Sequence, residues 1–150
     1  MTPDLPAILS AAFPGLASDA AEVLRLADPR FNCVAWAAGL SDAIWWPSDP
    51  DAYWPPEAPD ELSVAAMVAA LNTVGYTLCT GSGLETGHEK VAIYARDSAP
   101  THVARQLRDG RWSSKLGRDC LVAHATPGGV EGAVYGSVAV YLRRPVAANA

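Results

Sequence analysis

The stretch "THVARQLRDGRWSSKLG", residues 101–117, decides how the second half of the chain folds. Asp109-Gly110 is a strong short hairpin signal, and the runs on either side have the length and side-chain content of strands. A two-residue turn pairs Leu107 with Trp112, Arg105 with Ser114 and His102 with Gly117. On that register His102, Ala104, Gln106, Ser113 and Lys115 share one face, while Val103, Leu107, Trp112 and Leu116 form an apolar one. A bulged turn shifts the register by one residue and swaps the faces of one strand, because side chains alternate with a period of two.

Working outward, "KVAIYA" (90–95), "CLVAHA" (120–125) and "SVAVYLRR" (137–144) are further strand-length runs set off by turn signals. With the two hairpin arms they predict a mostly antiparallel sheet of about five strands over residues 76–150. "TPGGVEGAVYG" (126–136) predicts a helical turn or two. Residues 1–75 read as mainly helical. "DLPAILSAAF" (4–13) is a short helix closed at Pro14-Gly15, and "SDAAEVLRLAD" (18–28) is a second one capped by Ser18. "SVAAMVAALNTVGY" (63–76) is the clearest helix, with Val64, Met67, Val68 and Leu71 on one stripe and Gly75 past its end. Between them, residues 41–60 hold five of the twelve prolines and three of the five tryptophans, so an ordered loop is expected rather than a helix or a central strand. Helices followed by a sheet make an α+β fold, with the helices packed on the sheet.

Bulk properties bound the function. The chain has 150 residues, 50% hydrophobic and 18% charged, which suits one domain over residues 1–150 with a sizeable core. No run approaches the roughly 20 apolar residues of a membrane-spanning helix. The opening "MTPDLPAIL" lacks the basic region of a secretory signal, so a cytoplasmic protein without a membrane partner is expected. Cys33, Cys79 and Cys120 are an odd number at wide spacing, which argues against a disulfide framework, and no pair has zinc-ligand spacing. No metal or other cofactor is expected. The net charge of −5 disfavours nucleic acid. It is unevenly spread: residues 1–75 carry two basic and ten acidic side chains, residues 76–150 nine basic and six acidic. The basic hairpin residues Arg105, Arg108 and Arg111 form either a solvated edge or a grip for a carboxylate or phosphate.

The chemistry concentrates at "RFNCVAWAAGL", residues 30–40. Asn32 is a good N-cap, which makes Cys33 the first residue of a short apolar helix ending at Gly39. Unpaired N–H groups at a helix start favour a thiolate, and a histidine in reach would hold the proton. His102, at a strand mouth, is the best placed of the three histidines; His88 lies in a polar loop and His124 inside a strand. Asp119, just past Gly117, is the nearest carboxylate to orient His102, with Gln106, Ser114 and Lys115 as weaker candidates. The expected oxyanion donors are the Cys33 amide and Asn32. Cys79 and Cys120 read as buried structural residues.

Cysteine at a helix start, histidine at a strand start and a polar group one strand later resembles the papain-like cysteine hydrolases, including NlpC-type peptidases and CHAP amidases. The segments at Asn32–Ala37, Trp45–Pro56, Glu89–Ala95, His102–Gly117 and Glu131–Val138 resemble a bacterial domain family of unknown function. The first resemblance implies a papain-like architecture and a cysteine-dependent hydrolase or acyltransferase acting on an amide or peptide-type bond. Its catalytic residues would be Cys33, His102 and Asp119. The cleft would be lined by Asn32, Trp36, Trp46, Trp54, Ser114 and Lys115, and the substrate would be a peptide, a protein or an amide-containing small molecule. NlpC-type enzymes usually place Asp before the cysteine, where this chain has Asn32. The reading from a different class is a non-catalytic protein- or ligand-binding module of immunity type on the same scaffold. In that case the tryptophan loop is a packed lid rather than a cleft wall.

Overall fold

The structure, a computed structural model, describes residues 4–146. Its centre is a seven-stranded sheet in which every neighbouring pair is antiparallel. The strands are β1 (Glu22–Arg25), β2 (Thr77–Cys79), β3 (His88–Arg96), β4 (Ala99–Gln106), β5 (Trp112–Lys115), β6 (Leu121–His124) and β7 (Ser137–Pro145). They lie in the order β1-β6-β5-β4-β3-β7-β2. The five strands expected from sequence are all present. The two additional ones, β1 and β2, are the short edge strands.

Strand β1 corrects the helix expected over residues 18–28. Helix propensity in "AAEVLRLAD" is overridden by pairing with β6, where Glu22 meets Ala123 and Val23 meets Val122. Only Val23 of the strand is buried, so the segment gains more from one inward side chain and a ladder than from an unsupported helix. The helices are α1 (Ala7–Ala12), α2 (Gly15–Ser18), α3 (Cys33–Ala38) and α4 (Val64–Asn72). In α4, Ser63 caps the start by accepting the Ala66 amide at 3.0 Å. Pro127–Val130 forms a single 3-10 turn.

Alternation along the strands builds two cores. Val91, Ile93, Val103 and Leu142 face α3 and α4. Ala92, Tyr94, Ala104, Trp112 and Val122 face the other way, toward Phe13, Leu16 and Val130. The chain from β1 to β2 crosses the first face from one sheet edge to the other, carrying α3, the tryptophan loop and α4. Trp45 is buried in that core, and Trp46 and Trp54 pack partly buried against it. The Trp45 and Tyr53 rings lie 4.9 Å apart, and Trp54 Nε1 donates to the Pro59 carbonyl at 2.9 Å. The loop is therefore held by its own aromatic contacts.

The hairpin register is the second correction. Arg105 pairs with Ser113 and Gln106 with Trp112, one residue off the two-residue-turn prediction. Gly110 is the cause. It takes φ +95°, a left-handed conformation, and the loop closes with the Leu107 amide on the Arg111 carbonyl at 2.7 Å. This is a three-residue turn with a bulge. The shift moves Ser114 onto the His102 face and turns Ser113 and Lys115 to the α3 face. Beyond Arg105–Ser113 the ladder between β4 and β5 stops, and the strands part.

Candidate active site

Helix α3 starts where the sequence predicts. Asn32 Oδ1 accepts the Ala35 amide at 3.2 Å and the Trp45 amide at 3.0 Å, and its Nδ2 donates to the Trp45 carbonyl at 2.8 Å. One side chain thus caps α3 and ties it to the tryptophan loop, so Asn32 has a structural role here. The helix closes at Gly39 (φ +100°), with the Leu40 amide on the Ala35 carbonyl at 2.9 Å.

Cys33 is 7% exposed and packs in the α3 core. Helix α3 packs on β4, so Cys33 shares this core with Val103, the residue after His102. The ladder between β4 and β5 stops before Val103, which leaves a slot between the strands beneath α3. Burial pushes the thiol up to about 11, and the Val103 and Val34 amides only partly oppose it. The depressed value expected for a resting thiolate is not what the site provides. The helix is too short and the surroundings too dry to outweigh desolvation.

His102 is fully buried and turned to the opposite core, paired across the ladder with Tyr94. The ring of Tyr135 stacks on it at 4.1 Å and 3°, and Tyr94 lies tilted at 5.3 Å. Tyr135 is held there by a tight loop from Gly132 to Gly136. A Cβ on Gly136 would come within 2.1 Å of the Ala95 carbonyl oxygen, so only glycine fits.

The polar partner of His102 is Ser114, not Asp119. His102 Nε2 and Ser114 Oγ are 2.9 Å apart, Ser114 Oγ and His124 Nε2 are 2.8 Å apart, and His124 Nδ1 is 2.6 Å from the Thr126 carbonyl. Burial lowers both imidazoles, so each ring is neutral at physiological pH. The direction of the chain follows from the carbonyl at its end. Thr126 O only accepts, so His124 Nδ1 carries the proton and its Nε2 accepts from Ser114. The serine oxygen then accepts from His102 Nε2–H. This leaves His102 Nδ1 with a lone pair, and that atom is buried without a hydrogen-bond partner. Asp19 anchors the far end: its carboxylate accepts the Thr126 amide at 2.8 Å and the Thr126 hydroxyl at 3.0 Å.

The remaining predicted residues are dispersed. Asp119 accepts the amide of Cys120 at 2.8 Å within its own turn, because β5 ends at Lys115 and the chain bends away before reaching the His102 face. Lys115 is fully buried, donates to the Asp28 carbonyl at 2.6 Å and the Gly117 carbonyl at 2.8 Å, and lies 4.7 Å from the Phe31 ring centroid. It fixes the segment that leads into α3. Trp36 Nε1 donates to Ser113 Oγ at 2.9 Å. Of the six residues assigned to a cleft, only Trp36 lines the 660 Å³ cavity described below.

The sequence reading missed His124, Tyr135, Asp19 and Thr126. The signal for the first was Gly110: a three-residue turn alone would have put Ser114 beside His102 and directed attention to the next strand. Among the described residues no group of three or more His, Cys, Asp or Glu side chains could hold a metal ion, and no helix is long and apolar enough to cross a membrane.

No curated protein and no solved structure matches the chain. Residues 22–143, which hold β1 to β6 and most of β7 together with Cys33, His102, Ser114 and His124, match one family, and the chain belongs to it: Domain of unknown function (DUF7689).

Proposed function

We propose that the chain is a cysteine-dependent enzyme of papain-like type that attacks an amide or peptide-type carbonyl, with Cys33 as nucleophile and His102 as base. One juxtaposition carries the reading: Cys33 packs in one core with Val103, the residue immediately after His102, and the His102 ring keeps a bare Nδ1. A helix-borne cysteine on an antiparallel sheet, a histidine on β4 and Ser114 on the adjacent strand fit a papain-like architecture. Ser114 takes the orienting role first assigned to Asp119.

The pair is neutral at rest. As sulfur bonds to the substrate carbonyl carbon, the thiol proton passes to His102 Nδ1 and the carbonyl π electrons move to oxygen. Ser114 accepts from His102 Nε2–H and stabilises the imidazolium through a charge-assisted hydrogen bond. Backbone amides at the start of α3 stabilise the oxyanion. The imidazolium then protonates the leaving amine, and water or a second nucleophile takes the acyl group. Substrate must open the slot so that sulfur and Nδ1 come within hydrogen-bond reach. Trp46 and Trp54 would supply one wall for a peptide, protein or amide-containing small molecule. The three unpaired cysteines suit a reducing cytoplasm.

A second reading, a non-catalytic binding module, is favoured by the raised thiol and the lowered imidazoles. Acylation by p-nitrophenyl acetate, mapped by peptide mass spectrometry, separates the two. The enzyme reading expects acetylation at Cys33 ahead of the more exposed Cys79, slowed at least about 100-fold in a folded His102→Gln variant. Acetylation that follows exposure alone, indifferent to His102, would support the binding module.

A further inference from the structure

A cavity of about 660 Å³ lies at the other end of α3, away from Cys33. Its size suits a small organic ligand. Leu84, Leu107, Val146 and Trp36 give it apolar walls, and Arg105 and Arg108 of the hairpin supply cations. Glu85 and Glu89 also line it, but their charges are already met. Glu85 pairs with Lys90 at 2.7 Å and with Arg143, and Glu89 pairs with Arg144 at 2.6 Å. Three cations therefore neutralise two carboxylates before Arg105 and Arg108 are counted.

Arg105 is only loosely held. Its guanidinium lies 3.6 Å from Glu89 and donates to the Trp36 carbonyl at 3.2 Å, with its carbon 4.9 Å from the Trp36 ring centroid. A guanidinium has five N–H donors, so most of these remain for a ligand. Arg108 is exposed at the hairpin tip and has no ion pair among the described residues; the neighbouring Asp109 is taken by Arg111 at 2.8 Å.

We propose that this cavity binds a small organic acid, its carboxylate seated between Arg105 and Arg108 and its apolar body against Leu84, Leu107, Val146 and Trp36. The site is independent of Cys33 chemistry and stands whether or not the chain is an enzyme.

Titration of the ¹⁵N-labelled full chain with hexanoate, followed by amide NMR shifts, tests it. Saturable shifts are expected in residues 84–89 and 105–108. Hexanamide, which has the same body without the charge, is expected to bind about tenfold more weakly, as is hexanoate to the Arg108→Gln variant. Arg108 has no side-chain hydrogen bond or ion pair among the described residues, so that variant is expected to keep the fold; Arg105→Lys, which keeps the charge but loses the fork, gives a second test. Inorganic phosphate is expected to bind more weakly than hexanoate, because it has no apolar body. Hexanamide binding as tightly as hexanoate, an unaffected Arg108→Gln variant, phosphate equalling hexanoate, or shifts absent or located elsewhere would each overturn the proposal.

Discussion

The two ends of α3 are opposite environments on one helix of six residues. Around Cys33, among the described residues, no ion pair joins the thiol or His102: burial keeps the thiol protonated and both imidazoles neutral, and the two imidazoles are joined through Ser114 in one directed chain. Around Ala37 and Ala38 the helix ends among ions. Arg144 donates to the Val74 carbonyl at 2.9 Å and to Glu89 at 2.8 Å, and the Tyr76 hydroxyl lies 2.9 Å from the Ala37 carbonyl and 2.8 Å from Glu89. Burial works against the Glu89 charge, but the Tyr76 hydrogen bond and the charges of Arg105 and Arg144 outweigh it and hold the carboxyl below its usual range. The charged end closes the helix by meeting its final carbonyls, and the neutral end holds protons in place. Perturbations of charge and of buried hydrogen bonding should therefore act on different ends.

The largest effect is expected from Ser114→Ala, which strips partners from two buried imidazole nitrogens. It should cost about 3 kcal/mol in denaturant unfolding, well above an ordinary surface substitution. A cost near zero would mean that the serine is not the link between the rings.

Glu89→Gln comes next, at about 2 kcal/mol, because it leaves Arg144 and Arg105 without their carboxylate in a half-buried setting. High salt should narrow the gap between Glu89→Gln and wild type while leaving the Ser114→Ala gap unchanged. Equal salt responses would erase the contrast between the two ends.

Acid reports on the neutral end in wild type. Both imidazoles have values lowered from 6.5 in the fold, so as pH falls through that value the unfolded chain takes up protons that the folded chain refuses. Stability is then full above about pH 7 and falls below it, by up to about 1.4 kcal/mol per pH unit for each ring. A His124→Gln variant should show a shallower slope than wild type in pH-dependent unfolding.

Asn32→Ala should cost about 1–2 kcal/mol through the lost cap and the lost Trp45 link. The smallest effect is expected from Asp119→Ala. Its carboxylate serves only its own turn, so stability should change by less than about 1 kcal/mol and Cys33 acylation not at all. An Asp119 variant that abolished acylation would restore the sequence-based triad.

How much of this was legible in the sequence varies by element. The central strands were legible, because their runs are apolar, β-rich and bounded by turns, and so was α3, because Asn32 and Gly39 mark both of its ends. β1 was hidden, since "EVLR" gains its strand state only from the neighbour it pairs with. In the site, Cys33 and His102 could be named from residue type and local position. Ser114 and His124 could not be placed, because a one-residue register shift decides which face each serine takes. The Cys33 environment was misjudged for a similar reason: desolvation is a property of the packed core and is not written in the residues flanking the thiol.

The central claim is that His102 keeps a free lone pair at Nδ1, able to take the Cys33 proton when the slot opens. Long-range ¹H–¹⁵N correlation spectra of the histidine rings test it most directly. The account predicts neutral rings, with the proton on Nε2 of His102 and on Nδ1 of His124, and a His102 Nδ1 resonance that moves when Cys33 is acylated. A His102 ring protonated at Nδ1, or indifferent to Cys33 modification, would contradict it.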